Sequence, residues 1–429
     1  MRFGLVMFLA GAASAAEVIA ITNGRVVSVS SAPMDRATVI ITDGKISAVG
    51  SKVSIPTGAR RIDATGLSVY PGWIDGWTRV GLAEISSVSG SVDTTELGPF
   101  NPAAQAWIAV NPHSEMIKTA RVNGVTSALV APSGGRISGT ASALNLLGKY
   151  PDQMALLKNA GMVVNLPAPP TGRRGEGGGD TPAAGNGGSA ENEAARRRAE
   201  DLEKLKQYLR EAKRYSDMRA RSANTPASAI DSALEAMLPV VRGERPIIVP
   251  ADTYRDIKAA VDFASEFGLK LLIAGGADAW KLTDLLVKNK VGVLYSAVHE
   301  LPRSADDPYD VTFSTPETLR RAGVPFAIVS GATSDVRNLP YRAAMAAAYG
   351  LEREDALKAL TLWPAQILGV ADKVGSIESG KLANLLVVKG DPLDIRSEIR
   401  YVFVEGREVP AGNRNLQLFD EFRQPSPTR

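Results

Sequence analysis

The chain has 429 residues, more than one ordinary domain, and a single α/β barrel of about 250 residues with a smaller companion unit would account for that length. Its formal net charge of +3 comes from 49 basic and 46 acidic residues that are interspersed, so neither nucleic acid nor an anionic membrane is implied as a partner. Without cysteine there is no disulfide, no lipid-modified thiol and no thiolate metal site, and stability must come from the core.

At the start, Arg2 precedes an apolar run over residues 3–10, and Ala13-Ser14-Ala15 supplies the small residues that a signal peptidase accepts. The pattern predicts a signal peptide over residues 1–15 and an exported protein, periplasmic or extracellular. The run is shorter than the roughly 20 residues a spanning helix needs, and no later stretch replaces it, so no membrane span is expected. Residues 16–70 then read as short β runs broken by turn dipeptides. Asn23-Gly24 and Asp43-Gly44 are hairpin signals, because a type I′ turn needs positive φ at both central residues. Residues 385–388 and 401–404, the latter followed by Glu405-Gly406, repeat the same grammar. Two β-rich ends predict one small β-sandwich, residues 16–70 plus 374–412, that hides both apolar faces. A polar, loosely held tail is expected over residues 413–429.

Between these ends, residues 71–373 alternate short apolar strands with helical stretches, the rhythm of a parallel sheet. Strands are predicted at 70–77, 125–131, 162–166, 247–250, 271–274, 291–295 and 326–329, with helices at 254–267 and 279–288. An eighth strand, needed to close a barrel, is placed between Ile137 and Leu147, where Gly and Ser interrupt the signal. Residues 168–189 are rich in Pro, Gly and Ala and read as a flexible insertion. A charged helix follows over 191–221, with Leu202, Leu205 and Leu209 on the side that packs.

The run Pro71-Gly72-Trp73-Ile74-Asp75-Gly76-Trp77-Thr78-Arg79 resembles the first barrel strand of the amidohydrolase superfamily, Pro-Gly-x-Ile-Asp-x-His-x-His, with Trp77 and Arg79 where the family has metal-binding histidines. Residues 374–392, from Val374-Gly375-Ser376-Ile377 through Gly380-Lys381 and Asn384 to Gly390-Asp391-Pro392, resemble the family's return strand. Thr361, Pro364, Ala365 and Leu368-Gly369 resemble its last barrel helix. The likeness is greatest to imidazolonepropionase-related and prolidase-like exported members. It implies an α/β fold, a TIM-like (β/α)8 barrel with a small flanking β-sandwich built from both termini, with the active site at the C-terminal ends of the strands.

The resemblance also implies a metal cofactor, yet each ligand position carries another residue. The fifth-strand histidine falls at Pro250, the sixth at Gly275, and the eighth-strand aspartate within residues 327–331. Only Asp252 and Asp335 nearby could bind or deprotonate anything. An indole N–H and a guanidinium offer no free lone pair, and the chain has only His113 and His299. The metal that acidifies a bound water from 15.7 to about 7 supplies on the order of 12 kcal/mol of acidification, which no single carboxylate replaces. The expectation is therefore no cofactor and no metal ligand.

Side chains at i and i+2 of a strand share a face, so Trp77 and Arg79 aim together. Arg79 places a permanent cation near the former metal position. It could hold an acidic ligand or stabilise an oxyanion, or it could plug the barrel as an ion pair with Asp75, Asp252 or Asp335. Trp77 could stack on a ligand or fill space. Arg79, Asp335 and His299 are the catalytic candidates, and Trp77, Asp252, Gly275 and Ser330 the ligand-binding ones. Glu84 is a further acid or base close to the first strand. Two functions follow: an exported hydrolase of C–N bonds or small peptide-like amides working without the usual metal, or an inactive member that binds a small acidic or amide-containing ligand or supports a partner.

Overall fold

The computed structural model describes residues 17–167, 187–221, 230–410 and 412–423, with side chains from residue 192 onward in the second stretch. The expected signal peptide and most of the expected insertion lie outside the described residues. Strands β1 (Val18–Val26), β2 (Met34–Thr42), β3 (Lys45–Gly50), β4 (Arg60–Asp63) and β5 (Ser68–Pro71) open the chain. The middle holds β6 (Trp73–Thr78), β7 (Val125–Val130), β8 (Ile137–Asn145), β9 (Ala155–Val164), β10 (Ile247–Ala251), β11 (Leu271–Gly275), β12 (Gly292–Tyr295) and β13 (Phe326–Ile328). Strands β14 (Leu385–Lys389), β15 (Glu398–Val404) and β16 (Arg407–Val409) end it.

The terminal strands form one hydrogen-bonded sheet, ordered β16-β15-β14-β5-β1-β2-β3 with β4 also on β1. They join where β5 pairs antiparallel with β14, Val69 opposite Val387. Ile19, Val39, Ile46, Leu385 and Phe403, drawn from both ends, share one buried cluster. Asp43-Gly44 and Glu405-Gly406 are the two-residue turns of β2–β3 and β15–β16, all four residues at positive φ. Asn23-Gly24 is not a hairpin turn. Asn23 has φ 61° inside β1, where the register slips and the strand passes from partner β4 to partner β5, so the same left-handed residue makes a bulge.

The apolar run expected as one strand over residues 70–77 is divided between two sheets. Gly72 stands at the joint, and a Cβ there would collide with the Thr126 side chain of β7, so only glycine allows this approach. The second sheet runs β13-β12-β11-β10-β9-β8-β7-β6 and curls into an eight-stranded TIM-like barrel. Its eighth strand, β8, lies where it was expected but runs antiparallel to both neighbours. The connection over residues 131–136 is too short for a crossover helix, so β7 and β8 can only form a hairpin.

Ile74, Leu129, Ala143, Ile248, Leu294 and Val329 fill the interior of the barrel, and helices cover the outside. The charged helix spans Gly187–Arg221. Leu205 and Leu209 are buried on its inner side and contribute about 2 kcal/mol each, and Tyr208 stacks on Phe100 at 5.0 Å. The described part of the tail is a helix, Arg414–Phe422, rather than loose chain. The Asn413 side chain caps it by accepting from Leu416 N at 2.8 Å, and it rests near the helix Glu115–Val122.

Candidate functional site

Strand β6 ends at the barrel mouth, and its register against β7 slips between Asp75 and Thr78. Ile74 faces the interior, and a Cβ on Gly76 would meet Val329 and Leu294. The slip also turns Trp77 inward, half-buried against the same apolar cluster. Thr78 is buried, its hydroxyl donating to Ala332 O at 2.5 Å. Arg79, just beyond the strand, is exposed. The plug does not form, because each carboxylate proposed for it is engaged elsewhere.

Asp252 pairs with Arg303 at 3.2 Å and leans over Gly275 so closely that a Cβ at Gly275 would strike the carboxylate. Gly275 and Gly276 hold φ of 105° and 74°, a left-handed path that only glycine follows without strain. The structure therefore brings together two of the ligand-binding candidates, Asp252 and Gly275, at the ends of β10 and β11. Ser330 is buried, its hydroxyl donating to Ala332 O at 3.1 Å and its backbone N–H to Asp75 Oδ1 at 3.0 Å.

Asp335 does not take the place of a general base on the eighth strand. It sits in a 3₁₀ turn, Ser334–Asn338, beyond β13. Partial burial raises its pKa, but hydrogen bonds from Arg342 and Asn338 and the Arg342 charge outweigh that and hold it below the usual carboxylate range. Arg342, itself buried, also donates to Ser296 O at the end of β12. His299 ends the turn Ala297–His299 on the same loop. Partial burial and then the Arg342 charge lower its pKa, with Asp335 opposing. Asp335, Arg342, Ser296 and His299 thus form one cluster beside the mouth, joined to the Asp252 and Gly275 pair where Ser296 N–H donates to Gly275 O at 3.2 Å. His113 is exposed in the loop before Glu115–Val122.

Two groups were missed as site members. Arg342 lies on a helix and carries no motif, so nothing in the sequence marks it. Asp75 was visible within the first-strand motif. It is wholly buried, and that burial raises its pKa to about 6, against the lowering effect of N–H groups from Ser330 and Trp77 and of the Arg342 charge. Only Oδ1 is bonded, to Ser330 N and to Trp77 N at 3.3 Å, while Oδ2 has no partner. Together with Gly331 N donating to Trp77 O at 3.0 Å, this carboxylate closes the barrel between β13 and β6. Glu84 is half-buried beyond the strand, with Oε1 also unpartnered. Among the described residues, no three His, Asp or Glu side chains are grouped so as to hold a metal ion.

The structure is similar to that of an amidohydrolase from Thermotoga maritima, with a TM-score of 0.78 and 26% identity over 92% of this chain and 100% of that one. It shares the fold of a prolidase crystallised with N-methylphosphonate-L-proline, TM-score 0.53, 16% identity, covering 91% and 99% of the two chains. Molinate hydrolase shares the fold as well, TM-score 0.54, 18% identity, covering 92% and 95%. In sequence the chain is 24% identical over 397 residues to amidohydrolase tasK of Hapsidospora irregularis, covering 86% of this chain and 39% of that relative. It thus spans well under half the length of the curated relative. Residues 115–409 match the Amidohydrolase family, and on that match the chain belongs to it.

Proposed function

We propose that this is an exported amidohydrolase-family protein that recognises a small acidic or amide-containing molecule at the barrel mouth and carries no catalytic metal. The observation that carries this reading is the end of β6. Trp77 fills interior space there and Arg79 offers an exposed, permanent cation. The residue types at the mouth do not fit a transition metal, since such a centre takes three nitrogen or oxygen ligands and an open position. A guanidinium suits a carboxylate instead, which it binds through two parallel hydrogen bonds. Metal analysis of the purified mature protein, with calorimetric titration of acidic metabolites, cyclic amides and dipeptides, tests it. About one tightly bound equivalent of zinc, iron or manganese, or no ligand in the panel, would count against it.

A second reading, hydrolysis of a C–N bond without metal through Arg79, Asp335 and His299, draws support from His299. Its lowered pKa leaves the imidazole neutral and able to accept a proton at pH 7. Against it, the Asp335 carboxylate is held by Arg342 and Asn338. Turnover of the same panel in the presence of a chelator, abolished by His299→Gln, would favour this reading over the first.

A further inference from the structure

Away from the mouth, an open cavity of about 750 Å³ lies between the flanking sheet and the barrel helix Arg353–Lys358. Drug-sized ligands occupy cavities of this size, and such cavities favour the junction of two structural units. Val27, Val29 and Leu357 give it an apolar floor. Val29 holds φ at 63°. For a β-branched residue that is a strained conformation, the kind that persists where surrounding structure imposes it and that gathers at binding sites. The neighbouring turn is pinned by Ser28, whose hydroxyl donates to Ile377 O at 3.0 Å.

Tyr70, on the strand that leads into β6, lines the same cavity and is only 8% exposed. Its hydroxyl has no hydrogen-bond partner among the described residues. The hydroxyl itself is not sealed from solvent, and as part of the cavity lining it is free to donate to a bound molecule. Cations stand on two walls, Arg25 on the sheet and Arg353 and Lys358 on the helix, where Lys358 is held by Asp355 at 2.9 Å. Arg25 is held only loosely, 3.8 Å from an exposed Asp35. The lining acids are Glu354 and Asp391, and Asp391 is already paired with Arg353.

We propose that this cavity is a second binding site, for a small molecule that joins an apolar body to a carboxylate. The body rests on Val27, Val29 and Leu357, and the carboxylate accepts from the Tyr70 hydroxyl and is drawn by Arg25. No bond is made or broken there.

The test is calorimetric titration of the mature protein with 4-phenylbutyrate, its neutral amide and the matching amine. The carboxylate should bind about tenfold more tightly than either of the others. Tyr70→Phe and Arg25→Met should each weaken it about five- to tenfold, with unfolding midpoints unchanged. Ala32→Trp, at the exposed rim, should block it. Equal binding of the three probes, no binding, or undiminished binding in Tyr70→Phe and Ala32→Trp would overturn the site. Binding lost in Arg79→Met but kept in Tyr70→Phe would place the carboxylate at the barrel mouth and overturn it too, leaving the proposed function standing.

Discussion

Arg79 and Asp75, neighbours at the end of one strand, stand in opposite surroundings. The guanidinium is exposed, so its loss strands no buried partner. Arg79→Met is expected to leave the unfolding free energy within about 0.5 kcal/mol of wild type while removing binding of acidic ligands at the mouth. Chemical denaturation and titration of both proteins measure the two effects. Asp75 behaves differently, because its pKa of about 6 in the folded protein lies above the ordinary carboxylate value. Between those two values the folded state binds more protons than the unfolded one, so stability is full below about pH 4 and falls as pH rises through 6. The loss reaches on the order of 3 kcal/mol by pH 7. Asp75→Asn keeps an oxygen for Ser330 and Trp77 and removes the titration. The difference between mutant and wild type should therefore shift in the mutant's favour from pH 4 to pH 7, and a constant difference would show that Asp75 does not titrate there.

Elements show how an apolar run can mislead. Residues 70–77 carry continuous strand signal, but no pattern in the sequence marks Gly72 as the joint between two sheets. That requirement comes from Thr126, on a strand far along the chain. Gly72→Ala is expected to cost about 1–3 kcal/mol, read as a lower denaturation midpoint. The direction of β8 was legible only from the length of its connection to β7. The two-residue turns at Asp43-Gly44 and Glu405-Gly406 could be read because their chemistry is local. Asn23-Gly24 shows the limit, since the same positive φ serves a turn or a bulge according to which strands arrive beside it. The place of Trp77 and Arg79 at the end of β6 was legible from the motif that contains them. The capture of Asp335 by Arg342 was not, because it depends on how a helix packs against a turn.

Across the molecule, one buried polar network fastens the flanking sheet to the barrel. Asn384 donates to Asn145 Oδ1 at 2.7 Å and Ser127 Oγ at 3.0 Å, and accepts from Glu405 N at 2.8 Å. As an amide it can both donate and accept, which a carboxylate could not do here. Asn384→Ala leaves these partners unmatched and should cost about 3 kcal/mol in a denaturation experiment. Asn384→Asp should also destabilise, by placing a buried charge against Asn145 Oδ1.

The pairing of β5 with β14 sets a time order on how the protein comes into being. Val69 meets Val387, so the first strands made cannot finish their sheet until nearly the whole chain has been synthesised. Contacts this distant along a chain form slowly, and until β14 arrives the edge of β5 offers unpaired N–H and C=O groups to any other strand it meets. A chain that stops before residue 385 would keep that edge open for good. Premature termination should therefore yield a protein that aggregates through its own beginning, even with its barrel strands all present.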